Sequence, residues 1–262
     1  MKKVWLCLWW GAAKWFSHIW VIKRIEELWL EVTEVAWTSM WALIWAVYAF
    51  WKTSGDMVKI VDELSFLKLI DIDFKRWLIA WNRVLKFLDS IFWDARIEDC
   101  SITLMITATN IKTWKTEIFT RWKIKDAVRA SISIPWIFSP YKIWDNYYVD
   151  WGLKANLPAQ YLTEDFLVLS SACFWNDDSF EVENKKKILW IDFNESFFKL
   201  NYRIIQRTTE LMIVENERKS IDSLKKDFVL ISPDYTWFNL SDFKRFENIV
   251  QIWYEEAKNL IK

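Results

Sequence analysis

Tryptophan stands at several positions of this chain where the local pattern calls for glycine. The chain has 262 residues, with 22 tryptophans and three glycines, although average usage predicts about 18 glycines at this length. In Trp37-Thr38-Ser39-Met40-Trp41, indole occupies both outer positions of a G-x-S-x-G frame, the pattern of a nucleophile elbow between a strand and a helix. Glycine serves such a turn because it tolerates a positive φ and lets the strand and the helix approach closely.

The same replacement recurs at two other turn signals. The segment Trp9-Trp10-Gly11-Ala12-Ala13-Lys14-Trp15 has the form of a glycine-rich loop, and Asp150-Trp151-Gly152 has the form of Asp-Gly-Gly. We interpret the substitution as systematic: a UGA codon that specifies glycine in the source organism has been translated as tryptophan. Not every tryptophan need be affected, and the sequence alone does not say which are genuine.

The alternative is that the tryptophans are real. A tryptophan-rich chain can be a membrane-interface protein, because indole favours the level of the lipid headgroups. Such a protein would gather its tryptophans in belts or on one helix face. Here they are scattered from Trp5 to Trp253, often beside turn residues, as in Trp144-Asp145-Asn146, and this favours the glycine interpretation.

The overall composition excludes several classes of function. The chain length suits one α/β domain over residues 1–262. Lysine and arginine balance aspartate and glutamate at 35 each, so nucleic acid, which requires a basic surplus, is not an expected partner. Three cysteines without a CxxC pair and a single histidine give no zinc-binding set. We expect a reduced, cytoplasmic setting, with peripheral contact to a membrane left open.

Two segments imitate membrane signals. Residues 1–13 resemble a signal peptide, but their apolar core is short and contains three tryptophans. Residues 35–51 form an uncharged run of 17 residues, at the lower limit for a membrane span. With glycine restored at its tryptophans, this run becomes a strand, an elbow and a helix of small residues. We therefore predict no transmembrane segment.

Hydrophobic periodicity predicts alternating strands and helices, typical of a mostly parallel sheet. The predicted strands are 4–8, 32–36, 102–109, 116–120, 166–170, 188–193 and 228–231. The predicted helices are 16–28, 39–50, 126–131, 197–217 and 241–261, with two or three more covering helices within 56–92. The expected fold is a three-layer α/β sandwich with a nucleophile elbow and helices on both faces of the sheet.

Ser39 and Asp150 are the candidate reactive residues. A Ser-His-Asp triad would have to use His18, the only histidine, which we interpret instead as a packed structural residue. A carboxylate held near the serine can serve as the base. Asp150 ends the apolar run Tyr147-Tyr148-Val149 and precedes a turn, which predicts a carboxylate at the tip of a strand.

Taken in this order, the glycine-rich loop, the elbow and the Asp150 turn resemble the patatin-like phospholipase family. The resemblance extends over nearly the whole chain, including Arg129-Ala130-Ser131-Ile132-Ser133-Ile134-Pro135 and the segment from Tyr148 to Pro158. It implies a Ser–Asp dyad of Ser39 and Asp150, and an oxyanion hole made by backbone N–H groups of Trp10, Gly11 and Ala12. Other motif positions that match are Lys14, Trp15, Trp37, Trp41, Trp151 and Gly152.

The resemblance implies a lipid acyl hydrolase that cleaves carboxylic esters through an acyl-Ser39 intermediate. It would need no metal and no organic cofactor, and its substrate would be a lipid ester, met at a membrane surface. The alternative is a non-catalytic membrane-surface or scaffolding protein with a degenerate hydrolase fold, if the tryptophans are genuine. Indole at positions 10, 37 and 41 would then fill the space that the substrate and the turn require.

Overall fold

The computed structural model of the chain has a central β-sheet with helices packed against it, which confirms the predicted α/β class. The residues that it describes are 3–8, 17–39, 41–51, 53–55, 57–58, 72–73, 78–79, 82–135, 138–150, 158–162, 166–170, 204, 208, 211–212, 215–216, 218–225, 227–231 and 246–261.

Ten strands and five α-helices are defined within these residues. The strands are β1 (Lys3–Leu8), β2 (Glu31–Thr38), β3 (Ile72–Asp73), β4 (Leu78–Ile79), β5 (Thr103–Asn110), β6 (Lys115–Phe119), β7 (Tyr141–Ile143), β8 (Asn146–Asp150), β9 (Phe166–Ser170) and β10 (Asp227–Ile231). The helices are α1 (Ser17–Glu27), α2 (Trp41–Trp51), α3 (Asn82–Phe92), α4 (Ile124–Ser131) and α5 (Phe246–Leu260), and Ile97–Asp99 and Pro158–Tyr161 are short 3₁₀ turns.

The main sheet is parallel from β10 to β5 and antiparallel where β6, β7 and β8 join it. Strands β10, β9, β1, β2 and β5 lie side by side in that order and all pair in parallel. The hairpin of β7 and β8 and the strand β6 add antiparallel pairing around β5. The strands β3 and β4 form a separate antiparallel pair. The predicted mostly parallel sheet is therefore confirmed, and its antiparallel part is confined to the neighbourhood of β5.

Helix packing buries the apolar residues on which the predictions relied. Helix α2 packs on β2 and β5, α4 packs on β5 and β8, and α1 packs against α5. The last four residues of β2, from Val35 to Thr38, are all buried, as a strand in a covered sheet requires. Among the described residues, no helix combines the length and the hydropathy that crossing a membrane requires.

Most predicted elements coincide with observed ones. Strand β9 has the predicted bounds, and α1, α4 and β10 begin within two residues of them. Within 56–92, α3 covers residues 82–92, whereas the short strands β3 and β4 were not predicted. The described residues between 204 and 222 are helical, and the predicted strand at 188–193 lies outside the described residues.

Tryptophans occupy backbone conformations that favour glycine. Of the five described non-glycine residues with a positive φ, four are tryptophans, namely Trp29, Trp93, Trp114 and Trp144, with φ values of 53°, 46°, 58° and 51°. Each side chain is between 77% and 80% exposed, so packing does not account for the choice of residue. A bulky residue with a positive φ is an outlier, whereas glycine adopts this conformation readily. These positions support the interpretation that tryptophan stands for glycine.

The end of α1 shows why glycine is favoured at position 29. The N–H of Trp29 donates to the carbonyl of Glu26 at 3.0 Å, and the N–H of Leu30 donates to the carbonyl of Ile25 at 3.2 Å. These two bonds form a Schellman motif, whose left-handed residue is usually glycine. Trp29 occupies that left-handed position. Trp93, one residue beyond the end of α3, is also left-handed, and its N–H donates to the carbonyl of Asp89 at 2.8 Å.

A hydrogen-bonded network holds β8 to the rest of the sheet. The hydroxyl of Tyr148 donates to the carboxylate of Glu117 on β6 at 2.6 Å. The amide of Asn110, which lies opposite Tyr148 on β5, donates to the same carboxylate at 2.7 Å. Burial, together with the hydrogen bond to Glu117, raises the pKa of Tyr148 to about 12. The network joins three neighbouring strands close to the end of β8.

Replacing Trp29 or Trp93 by glycine should stabilise the fold. An L-residue in the left-handed conformation costs about 1–2 kcal/mol, so we expect each Trp→Gly variant to gain about 1 kcal/mol in free energy of unfolding, measured by urea denaturation. Trp29→Ala and Trp93→Ala are the matched controls, because alanine removes the exposed indole but keeps the Cβ. Equal gains for alanine and glycine would contradict this account.

The raised pKa of Tyr148 predicts a loss of stability in alkali. Below the unfolded-state pKa of about 10, the contribution of this phenol is complete. Between about pH 10 and pH 12 the unfolded chain ionises while the folded one does not, so the free energy of unfolding falls. The difference in this free energy between the parent and Tyr148→Phe should therefore be smaller at pH 11 than at pH 9. Other tyrosines cancel in this comparison, and a constant difference would contradict the assignment.

Candidate active site

Ser39 lies at a sharp turn between a strand and a helix. Strand β2 ends at Thr38 and helix α2 begins at Trp41. Ser39 has a φ of 65°, and its carbonyl accepts the N–H of Ala42 at 2.9 Å, which closes the first turn of the helix. A strained serine between a buried strand and a helix is the geometry of a nucleophile elbow. The side chain is half-buried.

Asp150 is the last residue of β8 and is almost completely buried. Its side chain is 4% exposed, and the strand pairs it with Ala108 of β5. Its N–H donates to the carbonyl of Ser133 at 2.9 Å. The predicted position at a strand tip is therefore the observed one.

Strands β2 and β8 share one edge of β5 and meet there end to end. Thr107 pairs with Thr38 of β2 and also with Ile118 of β6. Ala108 pairs with Asp150 of β8 and also with Glu117 of β6. Since β6 occupies one edge of β5 along both positions, β2 and β8 must occupy the other.

This arrangement brings Ser39 and Asp150 together. The end of β2 and the end of β8 stand opposite consecutive residues of β5, and one residue corresponds to a rise of about 3.3 Å along a strand. The two strands run toward each other, because β2 is parallel to β5 and β8 is antiparallel to it. Strand β2 ends at Thr38 and strand β8 ends at Asp150, so Ser39 and Asp150 lie beside each other at this junction.

The C-terminal turn of α4 contacts the backbone of both residues. The N–H of Ser39 donates to the hydroxyl of Ser131 at 2.8 Å, and the N–H of Asp150 donates to the carbonyl of Ser133. The hydroxyl of Ser131 donates in turn to the carbonyl of Thr107 at 2.8 Å. Sequence reasoning matched this segment to a family motif but assigned it no role, because a hydrogen bond between residues so far apart leaves no local signal.

Trp37 is accommodated differently from the expectation. Its φ is not positive; in the elbow, the left-handed residue is Ser39 itself. Trp37 is fully buried and stacks on Trp45 of α2 with ring centroids 4.1 Å apart and an angle of 2° between the planes. Neither indole N–H has an acceptor among the described residues, and an unmet buried donor costs about 1–3 kcal/mol. The constraint at this position is the space between strand and helix.

His18 is fully buried in helix α1. Its ring contacts that of Trp253 on α5 edge to face, with centroids 5.2 Å apart. This position on the α1–α5 contact agrees with the structural role expected for the only histidine.

Most of the remaining predicted site residues lie outside the described part of the chain. Trp41 is the first residue of α2. Trp10, Gly11, Ala12, Lys14, Trp15, Trp151 and Gly152 lie outside the described residues. The proposed oxyanion hole therefore rests on the sequence motif.

Known proteins resemble this chain in sequence and in fold. The patatin-like phospholipase family model matches residues 7–163, more than half of the chain, including Ser39 and Asp150. An uncharacterised NTE family protein of Mycobacterium tuberculosis is 26% identical over 151 residues, which are 56% of this chain and 42% of that protein. The lysophospholipase NTE1 of Cryptococcus neoformans is 21% identical over 277 residues, covering 100% of this chain and 17% of that protein. The chain thus spans less than half the length of these relatives.

The fold also has a solved counterpart. The crystal structure of VipD from Legionella pneumophila matches with a TM-score of 0.56 at 12% identity, covering 98% of this chain and 66% of that one. This likeness confirms the three-layer α/β sandwich. Together with the match of the family model over residues 7–163, it leads to one conclusion: the chain belongs to the patatin-like phospholipase family.

Proposed function

We propose that this protein is a lipid acyl hydrolase that cleaves carboxylic esters with a dyad of Ser39 and Asp150. The observation that carries the proposal is the meeting of β2 and β8 on one edge of β5, which delivers a strained serine and a buried carboxylate to adjacent positions. The family match and the name of the fungal lysophospholipase support a lipid ester as the substrate.

The first half of the reaction forms an acyl-enzyme. The hydroxyl oxygen of Ser39 attacks the ester carbonyl while the carboxylate of Asp150 accepts the hydroxyl proton. The resulting oxyanion is stabilised by backbone N–H groups of residues 10–12, a contribution that is often the largest in acyl transfer. Collapse of the tetrahedral intermediate breaks the ester bond, and Asp150 returns the proton to the departing alcohol.

The second half releases the fatty acid. Water attacks the acyl-Ser39 carbonyl, Asp150 accepts a proton from it, and the acid leaves as the proton returns to the Ser39 oxygen. A carboxylate can activate a serine in this way when it is held within hydrogen-bonding reach. The near-complete burial of Asp150 suits the role, because it keeps bulk water from screening the interaction between the carboxylate and the serine.

A second candidate is a non-catalytic membrane-surface or scaffolding protein in which the tryptophans are genuine. It is the weaker one, because Trp29, Trp93, Trp114 and Trp144 adopt backbone conformations that favour glycine. The codons provide the direct discrimination: UGG codons at these positions would favour the second candidate, and UGA codons the first.

Substitutions of Asp150 and His18 should show which of the two acts as the base. In the full chain produced with glycine at positions 9, 10, 15, 37, 41 and 151, we expect Asp150→Asn to lose nearly all turnover of a lipid ester. His18→Gln should keep the chemical step, since this side chain packs against Trp253. A folded His18→Gln protein without turnover, beside an active Asp150→Asn protein, would overturn the dyad.

A covalent probe tests the nucleophile and the glycine interpretation together. A fluorophosphonate should label the glycine-containing form at Ser39, detected by mass spectrometry of the labelled peptide, and Ser39→Ala should abolish the label. The chain with tryptophan at all six positions should not be labelled, because the indole of Trp37 fills the space between β2 and α2 and overpacking costs about 1–3 kcal/mol at each site. Equal labelling of the two forms would contradict the glycine interpretation.

A further inference from the structure

The end of β2 leaves one backbone donor without a place in the sheet. Pairing between β2 and β5 ends at Thr38 and Thr107, and the next residue of β5, Ala108, is already paired with Asp150. The N–H of Ser39 therefore has no strand partner on β5. An unpaired backbone donor away from water is costly, so a side chain has to accept this bond.

Ser131 provides the acceptor. It is the last residue of α4 and is fully buried. Its hydroxyl accepts the N–H of Ser39 at 2.8 Å and donates its proton to the carbonyl of Thr107 at 2.8 Å. The hydroxyl thus donates its single proton to β5 and accepts the elbow N–H with one of its lone pairs. The hydroxyl consequently connects the nucleophile turn to the strand beside it.

The same turn of chain holds Asp150. Two residues after Ser131, the carbonyl of Ser133 accepts the N–H of Asp150 at 2.9 Å. The guanidinium of Arg129, 2% exposed, donates to the hydroxyl of Ser133 at 2.5 Å and to the carbonyl of Ser139 at 3.2 Å. These bonds restrain the turn, and with it the relative position of the two residues it contacts.

We propose that Ser131 is a positioning residue for the reaction, whose hydroxyl keeps Ser39 in its left-handed conformation and in register with Asp150. This inference rests on the proposed dyad. A non-glycine residue with a φ of 65° persists only where its surroundings hold it there. The hydrogen bond that the N–H of Ser39 donates to the hydroxyl of Ser131 fixes this residue.

The bond to Ser131 occupies the N–H of Ser39 and so keeps it from an oxyanion. In trypsin-like serine proteases the N–H of the nucleophilic serine is itself an oxyanion donor. Here the N–H of Ser39 is directed to Ser131, so the donors to the oxyanion must come from other backbone groups. Ser131 therefore acts on the geometry of the nucleophile and does not contact the substrate.

The test compares Ser131→Ala with a matched hydroxyl deletion at the other end of α4. In the glycine-containing full chain, Ser131→Ala should lower kcat at least tenfold and leave KM within twofold, with a similar fall in the rate of fluorophosphonate labelling. Tyr141→Phe removes a 2.7 Å hydrogen bond to Asp126 in the first turn of α4 but keeps the aromatic ring, and it should keep the parental kcat. Ser131→Thr retains the hydroxyl and should restore most of the lost kcat.

Amide hydrogen exchange gives a readout that does not depend on activity. The Ser39 amide should be protected in the parent and in Tyr141→Phe and should exchange faster in Ser131→Ala, with urea denaturation recording any change in global stability. Unchanged protection in Ser131→Ala, or a loss of kcat no greater than that of Tyr141→Phe, would overturn the positioning role. A folded parent that neither labels nor hydrolyses would instead overturn the proposed function, while the exchange result would still decide the hydrogen bond.

Discussion

The edge of β5 that faces β2 organises the rest of this structure. Two strands pair with that edge of β5 in succession. Strand β2 pairs as far as Thr107 of β5, and β8 pairs from Ala108 of β5 onward. Because one is parallel and the other antiparallel, their ends face each other and neither can continue. The pairing of both strands therefore ends at the same place, beside Ser39 and Asp150.

Such a junction creates unpaired backbone groups and strain, and the surrounding residues compensate for both. The turn after α4 accepts the N–H of Ser39 and the N–H of Asp150. Thr38 and Thr107 add a hydroxyl contact at 2.6 Å between the paired strands, and Thr107 donates to the carbonyl of Trp37 at 3.0 Å. The network of Tyr148, Glu117 and Asn110 ties β8 across β5 to β6, which occupies the opposite edge. A strained serine is held in this way by hydrogen bonds from its neighbours and between them.

The tryptophans add a second kind of constraint, which acts on the chain at many places. At the ends of α1 and α3 they stand in left-handed conformations, where the cost comes from the Cβ and the indole is exposed. Between β2 and α2, by contrast, the backbone of Trp37 is regular and the indole fills the space between strand and helix. At the helix ends, glycine would remove the backbone strain, because it adopts the left-handed conformation readily. Between β2 and α2, glycine would let the strand and the helix approach closely. Two unrelated physical effects thus favour the same residue.

The sequence by itself determined the α/β class, most element positions, and the placement of Ser39 just after β2 and of Asp150 at the end of β8. Hydrophobic periodicity and turn composition are properties of a few neighbouring residues, so Ser39 at an elbow and Asp150 at a strand tip were readable without the fold. The tertiary structure decided that these residues meet, that Ser131 bonds to the elbow, and that His18 packs against Trp253. It also showed that the left-handed residue of the elbow is Ser39 and that β3 and β4 pair. These features depend on strand register and on contacts between distant segments, which leave no periodic trace in the sequence.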